Sequence, residues 1–170
     1  MLHVTSEIGR LRKVLVHEPG REIDVMVPAM MDELLFDDVL FGDRAREEHA
    51  MFRRVLQLFE VEIVEARDLL VETLADPEAR DWVLEVLLRE TAPALRERVE
   101  EASEEDLAAI LVTGVREPTS RTGVDVADLF AVPPLPNWCF QRDPQIVLGD
   151  GVVFAAMAAP ARHREALLSR

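Results

Sequence analysis

Residues 43–64 read DRAREEHAMFRRVLQLFEVEIV, and this stretch decides the fold class. Its apolar side chains recur at the i, i+3, i+4 and i+7 spacing of one α-helical face, and Asp43 can cap the start of the helix. Residues 61–64 alternate with β-branched side chains, which predicts a strand directly after the helix. We expect the apolar face of the helix to be buried; it consists of Phe52, Val55, Leu56 and Phe59.

A second short strand lies upstream of this helix. Residues 14–16 are Val-Leu-Val, and the turn-forming pair Pro19-Gly20 closes the run. Because proline fits the first turn of a helix, we expect a short helix to begin near Pro28 and to run into residues 34–38. Strand, helix and strand in this order form a crossover unit, which favours an α/β fold.

Helices dominate from residue 66 to about residue 130, where the composition shifts to Leu, Ala, Glu and Arg. Ser103 followed by Asp106 resembles a capping box and predicts a helix start. Gly114 predicts the end of that helix, because glycine is favoured just past a helix C-terminus. Residues 116–125 are rich in turn-forming side chains and predict a surface loop.

The chain returns to short β-structure after the helical region. Three prolines, Pro133, Pro134 and Pro136, are incompatible with a helix interior and favour an extended backbone. Apolar residues on either side of Gly149-Asp150-Gly151 predict a hairpin with a three-residue turn. The predicted strands are residues 146–148 and 152–154, and a final helix is expected over residues 161–169.

Composition narrows the classes of partner. The 170 residues include 33 acidic and 19 basic side chains and one cysteine, with a formal net charge of −14. This field repels phosphate backbones, so we expect no nucleic-acid partner. A single thiol makes no intramolecular disulfide, and no apolar run is long enough to cross a bilayer. We therefore expect a cytoplasmic protein with no membrane partner.

Asp143 is the first candidate functional residue. Pro144 biases it toward an extended backbone, so we expect its carboxylate to project from a strand-like segment. A carboxylate there can accept paired N–H groups from a planar guanidinium, but it can also form a turn or pair with Arg142. Asn137 precedes Asp143 by an even count and would face the same way in an extended chain; the alternative is a turn asparagine. Phe140 is either apolar cover for a site or a core residue.

Arg162 is the second candidate, because a cation at a helix N-terminus opposes the macrodipole and this misfit suggests a role. It can clamp a carboxylate, or it can belong to a solvated basic turn answered by Glu165. A cysteine and a histidine in one chain also suggest a nucleophile and its base. We reject a Cys139–His163 pair, because Cys139 alternates with Phe140 in a run typical of a structural position.

Four segments together resemble the N-terminal part of arginine deiminase, of the guanidine-modifying pentein superfamily. They are SEIGRLRKV at 6–14, ELLFDD at 33–38, PPLPNWCFQRDP at 133–144 and PARHRE at 160–165. The helical region also resembles the helical insertion of that family. The resemblance implies an α/β fold, a partial α/β-propeller with an inserted helical subdomain. Its parts would be a first propeller module at 1–65, the insertion at 66–130 and the start of the next module at 131–170.

The resemblance also implies an activity and a set of site residues. The family hydrolyses L-arginine to L-citrulline and ammonia through a covalent thioether, without a cofactor or metal. Asp143 would be catalytic and bind the guanidinium, Phe140 would pack on the aliphatic stem, and Arg162 would hold the carboxylate. Asn137 would bond the α-amino or carboxylate end. In the same way, Leu35 would contact the substrate and Asp38 its α-amino group.

The 170 residues have no counterpart of the family's nucleophilic cysteine, its histidine or its two further carboxylates. We therefore expect an N-terminal portion that is inactive alone and whose partners are L-arginine and the missing C-terminal half; homo-oligomerisation stays open. One alternative is another guanidine-modifying enzyme, an amidinotransferase or a dimethylarginine hydrolase, although the helical insertion argues against the latter. A non-catalytic arginine-binding or assembly module is the other.

Overall fold

A computed structural model describes residues 2–88, 93–117 and 125–170. Most of the loop predicted at 116–125 therefore lies outside the described residues. The strands are β1 (Lys13–Val16), β2 (Glu62–Glu65), β3 (Gln145–Leu148) and β4 (Gly151–Phe154). The helices are α1 (Met31–Leu34), α2 (Gly42–Leu58), α3 (Ala66–Leu74), α4 (Pro77–Leu88), α5 (Pro93–Glu100), α6 (Glu104–Thr113), α7 (Val126–Leu129) and α8 (His163–Leu168). Short 3-10 turns occupy Pro28–Met30, Pro136–Cys139 and Pro160–Arg162.

The predicted crossover unit is confirmed. β1 and β2 pair in parallel, with Lys13 opposite Glu62 and Val16 opposite Glu65, and α2 lies between them in the chain. The helix starts at Gly42 with Phe41 at the N-cap and no capping side chain, so the cap predicted at Asp43 is wrong. The Asp43 carboxylate instead accepts a hydrogen bond from Arg46 one turn later.

The buried apolar face predicted for α2 is wrong in the described part of the chain. Phe52 is 51% exposed, Phe59 is 71% exposed, and Val55 is also exposed, while Leu56 is partly buried. The physical reason is that α2 packs mainly on β2 of a sheet only two strands wide. That sheet is too narrow to cover the whole face.

Helices α3 to α6 form the main hydrophobic core. Its buried side chains include Leu74, Val99, Leu107 and Leu111. The predicted start of α6 is confirmed, because Ser103 Oγ accepts a hydrogen bond from the Asp106 N–H at 3.1 Å. The predicted end is confirmed as well: Gly114 has a φ of +80° and donates its N–H to the Ile110 carbonyl.

The predicted hairpin is confirmed with one correction. β3 and β4 pair antiparallel, but Leu148 lies opposite Gly151, so the turn has two residues rather than three. Gly149, with a φ of +58°, also forms an isolated antiparallel bridge with Val4 near the N-terminus. The sequence missed the shorter turn because Gly151 has no side chain to mark it as a strand residue. The final predicted helix is present as a 3-10 turn followed by α8.

The described residues therefore form a mixed α/β structure whose two small sheets do not close on themselves. Two core clusters flank the segment that follows α7. Trp138 belongs to the main cluster, while Met30, Leu34 and Phe130 belong to a second one. No helix in the described ranges combines the length and apolar character that crossing a bilayer requires.

Candidate functional site

Three of the residues singled out in the sequence come together near α8. Asp143 Oδ2 accepts a hydrogen bond from Arg162 Nη1 at 2.7 Å, and the Arg162 guanidinium carbon lies 6.0 Å from the centre of the Phe140 ring. That spacing is within the range of a cation–π contact. A carboxylate and an aromatic ring therefore both contact one guanidinium group.

Asp143 is held by a turn rather than by an extended strand, so the predicted strand-like conformation is wrong. Residues 141–144 form a turn before β3, and the Asp143 N–H donates to the Phe140 carbonyl at 3.1 Å. The alternative pairing with the adjacent Arg142 is also absent, because Arg142 pairs with Glu7 at 2.9 Å. The Asp143 side chain is 48% exposed and is accessible to a ligand.

Arg162 is fixed by a second carboxylate, that of Glu165. Nε donates to both Glu165 oxygens at 3.1 and 3.0 Å, and Nη2 donates to Oε2 at 2.7 Å. The Glu165 side chain is 1% exposed and that of Arg162 is 12% exposed, so the pair is not a solvated turn. Burial alone would lower the pKa of Arg162, but its hydrogen bonds to Glu165 and Asp143 raise it above the ordinary value. Burial raises the pKa of Glu165, against the effect of Arg162.

Asn137 does not face Asp143. Its Nδ2 donates to the Leu34 carbonyl at 2.7 Å, and the side chain is buried. The even spacing failed because residues 136–139 form a 3-10 turn instead of an extended segment. Asn137 therefore ties the proline-rich segment to the end of α1.

Leu35 and Asp38 follow directly in the turn that Asn137 holds. Leu35 has a left-handed backbone with a φ of 63°, and its side chain is 57% exposed. Asp38 is exposed and its carboxylate accepts the Val39 N–H at 2.8 Å. α1, which directly precedes this turn, contacts the 3-10 turn that carries Arg162.

Cys139 has the character of a structural residue. Its side chain is partly buried, and its Sγ approaches the Pro136 carbonyl at 3.8 Å. Burial raises the pKa of its thiol to about 11, so the thiol is protonated at neutral pH. A protonated thiol is a poor nucleophile. Among the described residues, no group of three or more His, Cys, Asp or Glu side chains is arranged to hold a metal ion.

The structure also contains a buried charged cluster that the sequence reasoning missed. His17 Nε2 lies 3.1 Å from Glu22 Oε1, and its Nδ1 lies 3.0 Å from Glu65 Oε1. His17 and Glu65 are neighbours because they lie at the carboxyl ends of the paired strands β1 and β2. The side chains of His17 and Glu22 are almost fully buried. A signal was present, since a histidine directly follows one strand and a glutamate ends the next.

This His17 cluster reaches the candidate site through one aromatic contact. Burial lowers the pKa of His17, but hydrogen bonds to Glu22 and Glu65 outweigh it and leave the pKa raised. Burial raises the pKa of Glu65, but the His17 contact outweighs it and leaves that pKa lowered. The His17 ring lies 4.6 Å from the Trp138 ring. Trp138 lies in the same 3-10 turn as Asn137, so the cluster supports the segment that ends at Phe140 and Asp143.

Comparisons with known proteins agree on one family. The family model described as arginine deiminase matches residues 32–170. The chain is 38% identical over 179 residues to the arginine deiminase of Metamycoplasma hominis, covering 99% of this chain and 43% of that protein. It is 35% identical over 187 residues to the arginine deiminase of Limosilactobacillus fermentum, with 99% and 45% covered.

A third relative, the arginine deiminase of Streptococcus pyogenes serotype M49, is 35% identical over 187 residues, with 99% of this chain and 46% of the relative covered. The chain thus spans less than half the length of these curated relatives. Because the family model covers well over half of the 170 residues and agrees with all three relatives, the chain belongs to the arginine deiminase family.

Proposed function

We propose that this chain is the N-terminal, substrate-contacting portion of an arginine deiminase. Together with the remaining portion it would hydrolyse L-arginine to L-citrulline and ammonia. Alone it is expected to be inactive, because that reaction needs a thiolate nucleophile and the pKa of the Cys139 thiol is about 11. The C-terminal portion supplies the nucleophile and the proton-transfer group in this proposal.

One observation carries the proposal: the Asp143 carboxylate binds a guanidinium beside the Phe140 ring. In this structure the guanidinium belongs to Arg162, but the chemistry is that of the substrate side chain. A carboxylate and an aromatic face are the two groups that best recognise a planar cation. The half-exposed position of Asp143 supports its assignment as the catalytic residue that a ligand can reach.

The other end of the substrate is assigned to Arg162. Its guanidinium is protonated and partly buried, which suits it to bind a carboxylate by charge-assisted hydrogen bonds. Leu35 and Asp38 complete the proposed site from the exposed turn after α1, with Asp38 accepting from the α-amino group. Asn137 has one of two roles in this proposal. It bonds the ligand directly, or it holds the same turn in place through its hydrogen bond to the Leu34 carbonyl.

The architecture of the whole enzyme is part of the same proposal. The three parts at 1–65, 66–130 and 131–170 would be a first propeller module, the helical insertion and the start of a second module. The narrow β1–β2 sheet and the exposed apolar face of α2 support the idea that further modules pack there. A cytoplasmic location fits a substrate that is a free amino acid.

Complementation tests the proposal. The 170-residue chain is mixed with the C-terminal portion of the Metamycoplasma hominis relative, and citrulline is assayed with L-arginine as substrate. Citrulline is expected from the mixture and from neither part alone. A stable complex without citrulline would contradict the enzyme assignment and favour a non-catalytic arginine-binding module.

A matched pair of variants tests the site within the same assay. Asp143→Asn removes the charge that binds the guanidinium and is expected to lower kcat/KM by about a hundredfold or more. Asp150→Asn makes the same chemical change at an exposed residue paired with His3 and should leave activity unchanged. Near-normal turnover by Asp143→Asn would remove Asp143 from the site.

A further inference from the structure

The hydrogen bonds of the Arg162 guanidinium are divided between two carboxylates of different character. Glu165 takes Nε and Nη2 through three hydrogen bonds. Asp143 takes Nη1 through one hydrogen bond at 2.7 Å. Glu165 is buried, whereas Asp143 is half exposed. The two contacts therefore differ both in number and in access to solvent.

Asp143 occupies Nη1, the guanidinium nitrogen of Arg162 that Glu165 leaves open. For the carboxylate of bound arginine to take the place of Asp143 at Nη1, the two side chains must separate. One of them has to move, and the surroundings decide which.

Arg162 is the side chain that stays. Its partner Glu165 lies in the first turn of α8, and that helix is fastened to the core through the neighbouring Arg164. Arg164 donates to the Pro133 carbonyl at 2.6 Å and to the Leu111 carbonyl at 2.9 Å. Asp143 lies in an exposed turn, so water can solvate its carboxylate when the side chain rotates away from Arg162.

We propose that Glu165 is a positioning residue for ligand binding. It fixes Arg162 through Nε and Nη2, and this leaves Nη1 to exchange the Asp143 carboxylate for the carboxylate of bound arginine. The inference rests on the proposed function, because it assumes that Asp143 and Arg162 bind the two ends of the ligand. Glu165 itself does not touch the ligand.

The direction in which arginine affinity changes when Glu165 is replaced shows whether Glu165 positions Arg162 or only balances its charge. A buried carboxylate beside Arg162 weakens the attraction between Arg162 and an anionic ligand group, so its removal as a mere counter-charge would tighten arginine binding. If Glu165 positions Arg162, its removal frees the guanidinium to adopt other rotamers and weakens arginine binding. The effect is confined to ligands that carry a carboxylate.

The test uses the isotope-labelled 170-residue chain and an NMR titration with two ligands. L-arginine carries the carboxylate, and agmatine is the same molecule without it. The ratio of the two dissociation constants measures the preference that Arg162 confers. Glu165→Gln is expected to reduce this preference by about tenfold while agmatine binding is unchanged. The control Glu60→Gln makes the same change in the exposed Arg10–Glu60 pair and should alter neither constant.

Each other outcome has a defined meaning. A preference that is retained or increased in Glu165→Gln overturns the positioning role while the proposed function stands. A wild-type chain that binds neither ligand, or binds both equally, overturns the inference, whereas the complementation assay decides on the proposed function. If Glu165→Gln loses its dispersed spectrum, Glu165→Asp replaces it. Glu165→Asp keeps the buried charge but retracts it, and the preference is expected to fall in the same direction; an unchanged preference overturns the role.

Discussion

Replacing His17 by glutamine is expected to destabilise the chain strongly and in a pH-dependent way. The change leaves Glu22 and Glu65 buried without the imidazolium that lies 3.1 and 3.0 Å from them. Removing one member of a buried ion pair costs about 3–5 kcal/mol. Since small domains are stable by roughly 5–15 kcal/mol, the loss is a large fraction of the free energy of unfolding.

The pH dependence follows from the direction of the pKa shifts. The folded-state pKa of His17 is raised from 6.5, so its contribution is complete below that value and is lost as the pH rises through the folded-state pKa. The pKa of Glu65 is lowered from 4.5, so its contribution is present above that value and is lost as the pH falls through the folded-state pKa. The interactions of His17 and Glu65 therefore stabilise the folded chain most between pH 4.5 and pH 6.5.

Other charged groups of the same cluster modify this window without reversing it. Glu65 also accepts two hydrogen bonds from the Glu18 N–H and lies 3.8 Å from Arg53. His49 is the second histidine of the region, and burial lowers its pKa. The pKa shifts of His49 and His17 are therefore in opposite directions.

Urea unfolding of the wild-type chain and His17→Gln at about pH 5.5 and about pH 9 measures the effect. The difference in free energy of unfolding is expected to be largest at the lower pH and to shrink at the higher one. His3→Gln is the control, because it removes an exposed histidine from its pair with Asp150 and should change little. An equal difference at both pH values would show that folding does not shift the pKa of His17 and would refute the reasoning.

Three further outcomes are expected. Gly114→Ala should destabilise the chain by about 2 kcal/mol or more, because φ is +80° and the new Cβ would meet the Val132 carbonyl; a melting temperature within a degree or so of wild type would contradict this. Cys139 should react with iodoacetamide far more slowly than a free thiol at neutral pH and at the free-thiol rate in urea, because its pKa is about 11; rapid labelling of the folded chain would contradict its burial. Phe52→Ser should cost less than about 1 kcal/mol in urea unfolding of the isolated chain, because the side chain is half exposed; a loss typical of a core phenylalanine would mean that the α2 face is covered in solution.

Local sequence patterns predicted the helices and strands better than they predicted which side chains are buried. The period of the apolar residues in α2 was enough to identify a helix, and the Ser103 cap was enough to locate the start of α6. What covers a helix face depends on distant segments, so the burial of Phe52 and Phe59 could not be read from periodicity. The hairpin turn was misjudged by one residue for a related reason, because glycine pairs in a strand without an apolar side chain to signal it.

In the candidate site, too, local features were predicted better than contacts between distant segments. Asp143, Phe140 and Arg162 were singled out from local chemistry and from the family resemblance, and the structure brings them into contact. The contact between His17 and Glu65 joins residues 48 positions apart, and it follows only once β1 and β2 are paired in parallel in the correct register. The orientation predicted for Asn137 was wrong, because the prolines produce a 3-10 turn that directs its amide to the Leu34 carbonyl.

The bridge between Val4 and Gly149 has a consequence for how the chain is made. Two side-chain ion pairs reinforce the bridge. His3 pairs with Asp150, and Glu7 pairs with Arg142. Residues 3–7 therefore reach these partners only after residue 150 has been synthesised. A bulky group placed beside Val4 would disturb a β-hairpin that lies far along the sequence.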